Sequence, residues 1–190
     1  MFNEQVQSVI VHVDEMRNHV DDHWQIPRDE AELLAQLVII GRCVSVCEIG
    51  TSYAFSTLHL AAATRLNDGF VHAFELSEKK INAATEHLTC AGLIETVRIH
   101  QGDAREEVGQ FEPEKPYDFV FIDAVKDQSF EYLEVVTPKL AQRAILVTDN
   151  TTSHADQLTS FVQHLREIPN ARSCGVDVGN GFELTIVDRK

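Results

Sequence analysis

Carboxylates recur at one kind of place in this 190-residue chain. Apolar, strand-like runs end on or just before them: Glu48 in VSVCEIG, Glu75 in VHAFE, Asp103 after VRIHQG, Asp123 in DFVFID and Asp149 in AILVTD. Acidic residues scattered over a surface would not favour strand ends so consistently. In an open α/β sheet, ligands bind beyond the carboxyl ends of the strands, so these five positions define a candidate site. Gly50, directly after the first run, lets a ligand approach the backbone. The amides that follow it open a helix and can hold a carboxylate or phosphate. Glu75 is placed to accept both hydroxyls of a ribose. Asp123, Asp149 and Asn150 offer hard oxygen ligands. If their strands are neighbours, about 4.8 Å apart, the three can share one Mg²⁺, Mn²⁺ or Ca²⁺ ion. Each feature has a plainer reading beside it. Glu75 alone reads as a solvated loop carboxylate, Asp149-Asn150 as an Asx turn and Lys126 as a solvated residue opening a helix.

The elements that must carry these residues follow from periodicity. Phe2, Val6, Val9, Ile10, Val13, Met16 and Val20 repeat at helical spacing. A second helix starts near Pro27, carries Leu33, Leu34, Leu37 and Val38, and ends at Gly41. Strand and helix then alternate. Strands are predicted over 43–49, 70–75, 96–100, 117–123 and 144–149. Helices are predicted over 56–66, 77–91 capped by Ser77, 128–140, and 153–168 capped by Ser153. Residues 109–116 read as a loop. Two final strands, 173–178 and 182–187, are joined at Asn180-Gly181, a strong short hairpin pattern. The inner strands are apolar throughout rather than alternating, which predicts a parallel sheet covered on both faces. The reading is an α/β, doubly wound, mostly parallel sheet with a C-terminal antiparallel hairpin. Residues 1–190 form a single domain, with helices over 1–41 and the α/β core over 42–190.

The formal net charge is −14. Such a field disfavours nucleic acid and anionic membrane as partners. No apolar run reaches the roughly 18 residues of a membrane span, and the acidic N-terminus does not resemble a signal peptide. The expectation is a cytoplasmic protein. Cys43, Cys47, Cys90 and Cys174 have no metal-like or disulfide-like spacing, and Cys43 and Cys47 read as buried thiols on one strand face. The first helix needs a surface for its apolar stripe. That surface is either the chain's own sheet or a second copy in a homodimer.

Taken together, EIGTSYAFST, AFELSEKKINAA, QGDA, YDFVFIDAVK and LVTDN resemble the motifs of class I S-adenosylmethionine-dependent O-methyltransferases. The metal-dependent branch typified by catechol and caffeoyl-CoA O-methyltransferases is the most similar. The resemblance covers about residues 25–187 and implies a Rossmann-like methyltransferase sheet. It implies that Glu48, Gly50, Ser52 and Ser56 hold the methionine part of S-adenosyl-L-methionine, and that Glu75 holds the ribose. It places Asp103 and Ala104 beside the adenine and implies Asp123, Asp149 and Asn150 as metal ligands. Asp123 thereby borders the cofactor as well. Lys126 would stand beside the hydroxyl of a small catechol-like aromatic and take or stabilise its proton. Two departures stand out. Ala54 occupies a place where the family usually has glycine, and the segment between Asn150 and the last hairpin is short. His154 reads either as an exposed residue or as an extra base. Trp24 and Ile26 either line the acceptor pocket or staple the first two helices. Two other readings remain: a cofactor-binding protein without transferase activity, and a nicotinamide-dependent oxidoreductase, which lacks GxGxxG spacing here.

Overall fold

The computed structural model describes residues 2–189. Its centre is a seven-stranded sheet in the order β3-β2-β1-β4-β5-β7-β6. The strands are β1 (Ser45–Ile49), β2 (Phe70–Glu75), β3 (Val97–Gln101), β4 (Tyr117–Ile122), β5 (Leu140–Thr148), β6 (Ala171–Val176) and β7 (Phe182–Asp188). Strands β1 to β5 run parallel; β7 pairs antiparallel with both β5 and β6. The doubly wound, mostly parallel sheet read from the sequence is the one observed. Chain order reverses between β1 and β4, which creates the crevice where ligands bind in such sheets. Register sets its floor level. Ile49 lies opposite both Phe74 and Ile122, and Ile122 lies opposite Thr148. Gly50, Glu75, Asp123 and Asp149 therefore emerge side by side.

Helices cover both faces, which is why the central strands are apolar at every position. Four helices, α1 (Glu4–Met16), α2 (Arg28–Gly41), α3 (Phe55–Arg65) and α4 (Glu78–Cys90), pack with Val46, Phe119, Phe121 and Val147. On the other face α5 (Ala104–Gln110), α6 (Ser129–Val136) and α7 (Ala155–Glu167) pack with Cys47, Ile49, Val120 and Ile122. The α1 stripe is satisfied within the chain, since Val6, Ile10 and Val13 are buried in the first core. It therefore gives no reason for a second copy. Among the described residues, no helix is long and apolar enough to cross a membrane.

Several boundaries differ from the sequence reading. Strand β5 starts at Leu140 and runs through the polar residues Gln142 and Arg143; the preceding helix ends at Val136, followed by a single tight turn over 137–139. Residues 104–110 form α5, whose short, charged sequence lacks a clear apolar period. Ser77 caps α4 as expected, accepting from the Lys80 amide. Ser153 does not cap α7; His154 holds that position without a side-chain cap. Cys43 and Cys47 are buried and free, but they enter opposite core layers because Cys43 precedes the strand. Strands β6 and β7 are not joined by a two-residue Asn-Gly turn. Val176 faces Phe182, leaving a five-residue loop, 177–181.

Candidate active site

A cleft of about 860 Å³ opens beyond the carboxyl ends of β1, β2, β4 and β5. Gly50, Ser52, Ser56, Glu75, Asp103, Ala104, Asp123, Lys126, Asp149 and Asn150 all line it. Glu48 does not; it lies beneath the floor, fully buried. Its carboxylate accepts hydrogen bonds from the Ser56 hydroxyl, at 2.5 Å, and from the Thr57 hydroxyl on the first turn of α3. Burial pushes the Glu48 carboxyl up from 4.5 to about 7, against the pull of those two donors, and the charges of Asp123 and Glu75 add to the rise.

The loop between β1 and α3 is held in an unusual backbone shape. Gly50 has φ +100°, and a Cβ there would lie 2.0 Å from the Asp123 carbonyl oxygen. Its freedom thus serves the close approach of the β4 end, where the sequence suggested only ligand approach. Ser52 (φ +47°) and Ala54 (φ +70°) both adopt left-handed backbone. Ala54 takes this shape without a glycine's freedom, and its methyl is fully buried. Glu75 ties the loop down. One carboxylate oxygen accepts from the Ser52 amide at 2.8 Å and the other from the Ser77 amide at 2.9 Å. A carboxylate can accept about four hydrogen bonds, so each oxygen keeps capacity for a hydroxyl of a bound ligand. The Ser52 hydroxyl is buried with no partner in the protein, so it too is free for one. At the cleft margin, Asp103 accepts from the Arg105 amide and pairs with its guanidinium, which holds the Asp103 carboxyl below its usual range.

The other half of the cleft is acidic. Lys126 Nζ donates to Asp123 Oδ1 at 2.8 Å. Asp149 is 2% exposed, and its Oδ1 has no hydrogen-bond partner. Asn150, at φ +66°, donates from its amide to the Ser153 hydroxyl. The sequence offered no sign of Glu30, a first-turn residue of α2 that reads as an ordinary helix-opening acid. It is 1% exposed; one oxygen accepts from the Asn180 amide at 3.1 Å, and the other is unpartnered. Burial raises both the Glu30 and Asp149 carboxyls; the charges of Asp123 and Glu30 add to the rise at Asp149, and the Asn180 amide offsets part of the rise at Glu30. Among the described residues no three His, Cys, Asp or Glu side chains stand ready to hold a metal ion together. A divalent cation would rest on two carboxylates, Asp123 and Asp149, and on the amide oxygen of Asn150. The orphaned Asp149 Oδ1 and the excess of carboxylate over cation charge fit such an ion.

A family model described as O-methyltransferase matches residues 7–186 of the chain. The chain belongs to the O-methyltransferase family. It is 24% identical to caffeoyl-CoA O-methyltransferase 2 of Petunia hybrida, over 90% of this chain and 81% of that protein. It is 31% identical to the catechol O-methyltransferase of Niastella koreensis, over 63% of this chain and 53% of that one. The structure of the O-methyltransferase from Bacillus cereus in complex with SAH superposes with a TM-score of 0.83. That match has 22% identity and covers 99% of this chain and 92% of the other. The protein is therefore an S-adenosylmethionine-dependent O-methyltransferase, similar to proteins named caffeoyl-CoA and catechol O-methyltransferase. This assignment displaces the nicotinamide oxidoreductase reading.

The rim of the O-methyltransferase cleft comes from segments with weak patterns. Trp24 lines it and is 78% exposed, with the Lys80 ammonium 5.3 Å from the centre of its ring. Ile26 also lines the cleft but is buried in the first core, so the two residues are not a shared hydrophobic staple. His154 lines the cleft from an exposed position, with Nδ1 3.1 Å from the Ser153 hydroxyl. Gln128, Tyr132 and Gln157 complete the wall; no local pattern in the sequence singles them out.

Proposed function

We propose that this O-methyltransferase is assisted by a divalent cation and methylates one hydroxyl of a small catechol-like aromatic. The observation carrying the reading is the buried, unpartnered oxygen of Asp149 beside Asp123, an arrangement left short of positive charge by the single nearby Lys126. When bound, S-adenosylmethionine supplies the methyl group and the cation makes an acceptor hydroxyl more acidic. The chain's own residues bind, orient and move a proton. Glu75 has spare acceptor capacity for ribose hydroxyls, and the Ser52 hydroxyl and the loop amides face the methionine end. Asp103 and Ala104 border the adenine. Asp123, Asp149 and Asn150 hold the cation. Lys126, anchored on Asp123, stands where its ammonium can stabilise the oxyanion left when the acceptor hydroxyl gives its proton to solvent. The transfer is a displacement at carbon, so catalysis rests on alignment and charge placement. Trp24, flat and exposed at the rim, suits one face of an aromatic acceptor.

The test is calorimetry with S-adenosylhomocysteine, with and without Mg²⁺, followed by methyl transfer to a panel of catechols. Expected are cofactor binding and cation-dependent turnover that Asp149→Ala abolishes. Full activity of that variant in the presence of a chelator refutes the cation's role. Cofactor binding with no turnover on any diol favours a binding protein without transferase activity, to which the strained Ala54 backbone would then be relevant.

A further inference from the structure

The Gly179-Asn180-Gly181 stretch does not make the tight hairpin its sequence suggests, and its carbonyls and amides point elsewhere. The Asn180 carbonyl accepts from the amides of Thr152 and Ser153, at 3.2 and 3.1 Å, and the Gly181 carbonyl accepts from Thr151 at 2.9 Å. These amides belong to the turn directly after Asp149-Asn150. On its other side, the Asn180 amide donates to Glu30 Oε1 at 3.1 Å. Glu30 thus reaches across 150 residues of chain to hold the loop that holds the cation-site turn. Gly179 is built for this contact: its φ is +57°, and a Cβ there would lie 2.8 Å from Glu30 Cδ and 2.9 Å from Pro27 Cγ. The second oxygen of Glu30 and Oδ1 of Asp149 are both buried without a partner. Two more than nine-tenths buried carboxyls with free oxygens would be expensive to keep unless something positive arrives or the pair is held for a purpose.

We propose that Glu30 is a positioning residue for the divalent-cation site, acting through the Asn180 backbone to clamp the 150–153 turn and so to aim Asp149 and Asn150. The inference rests on the cation-assisted reading above. Glu30 does not line the cleft, so its part is to orient the ligands and not to reach the substrate. Groups that orient metal ligands typically change affinity 10- to 100-fold when removed. The cofactor half of the cleft is held by Glu48 and Glu75, which make no hydrogen bond to this clamp.

The experiment is Mn²⁺ titration by calorimetry and electron paramagnetic resonance on the whole protein. S-adenosylhomocysteine affinity without metal serves as the parallel readout. Glu30→Ala is expected to weaken Mn²⁺ binding roughly 10- to 100-fold while cofactor-product affinity stays within about twofold. Glu30→Gln keeps an oxygen for the Asn180 amide and can donate to Asp149, so it should bind Mn²⁺ within about threefold of the parent. Gly179→Ala, which pushes Glu30 aside while leaving its charge, should behave like Glu30→Ala and keeps the test open if that variant does not fold. If Mn²⁺ binds the parent but equally well to Glu30→Ala or Gly179→Ala, the clamp is refuted alone. If Glu30→Gln is as weak as Glu30→Ala, charge rather than the clamp is responsible, and the proposal falls. If the parent binds no Mn²⁺, the cation reading and this inference fall together.

Discussion

Replacing Glu48 with Gln should make the protein's stability less sensitive to pH. Glu48 is fully buried beneath the loop between β1 and α3, and burial lifts its carboxyl from 4.5 to about 7. A carboxyl raised in the folded state keeps its proton longer there than in the unfolded chain. Its contribution is therefore fully present below pH 4.5 and is lost as pH rises through 7. A shift of this size corresponds to about 3 kcal/mol at pH 8. Gln cannot ionise. It accepts from one of the two hydroxyls and donates to the other, so any change in hydrogen bonding adds an offset that does not depend on pH. The stability difference, variant minus parent, should thus climb by about 3 kcal/mol between pH 4.5 and 8. For a chain of this length that equals about 6–12 °C in melting temperature. Paired scanning calorimetry across pH 5–8 measures it, since titrations of all other groups largely cancel in the difference. A difference that stays flat across that range would mean the Ser56 and Thr57 donors hold Glu48 ionised at its ordinary pKa, and the burial argument would be wrong.

Two further substitutions test the same loop, and a third tests the cap of α4. Gly50→Ala must place a methyl 2.0 Å from a backbone oxygen at φ +100°, so it should cost about 3 kcal/mol or more by urea denaturation; a loss under 1 kcal/mol contradicts the close approach. Ala54→Gly relieves about 1–2 kcal/mol of left-handed strain. It gives up about 0.8 kcal/mol of methyl burial and about 0.4–1 kcal/mol of chain entropy, so it should be nearly neutral in the same assay, and a loss above 2 kcal/mol contradicts the balance. Ser77→Ala should cost about 0.5 kcal/mol, at the low end for a cap because the bond to the Lys80 amide is long at 3.4 Å.

The sheet was legible because its chemistry is redundant. Apolar runs such as DFVFID have one reading when flanked by helical periods, and their order implies the crevice. Elements decided by polar residues were harder to see. Gln142 and Arg143 hide the start of β5, since a strand that opens on polar residues reads as a helix tail. The helix over Ala104–Gln110 is too short to show a period. The Asn-Gly pair misled because the pattern reports local turn preference, while the observed loop is set by bonds to residues 30 and 151–153.

The site shows the same division. Residues that follow a strand were visible, because strand ends are fixed by the local pattern and the sheet then gathers them: Gly50, Glu75, Asp123 and Asp149 meet through register alone. Glu30 was not visible, although it is among the most buried acids in the protein. Its helix-opening context, Pro27-Arg28-Asp29-Glu30, accounts for an acid there without any tertiary role. What marks Glu30 is a coincidence of three distant segments, the start of α2, the end of β5 and the 177–181 loop. No spacing rule connects them. The same holds for Gly50, whose glycine was read as room for a ligand and also makes room for the Asp123 carbonyl. In both cases the residue type was informative, but its partner was a neighbour brought by the fold. Sequence patterns can thus name the groups that line the cleft, while the groups that hold them emerge only from packing.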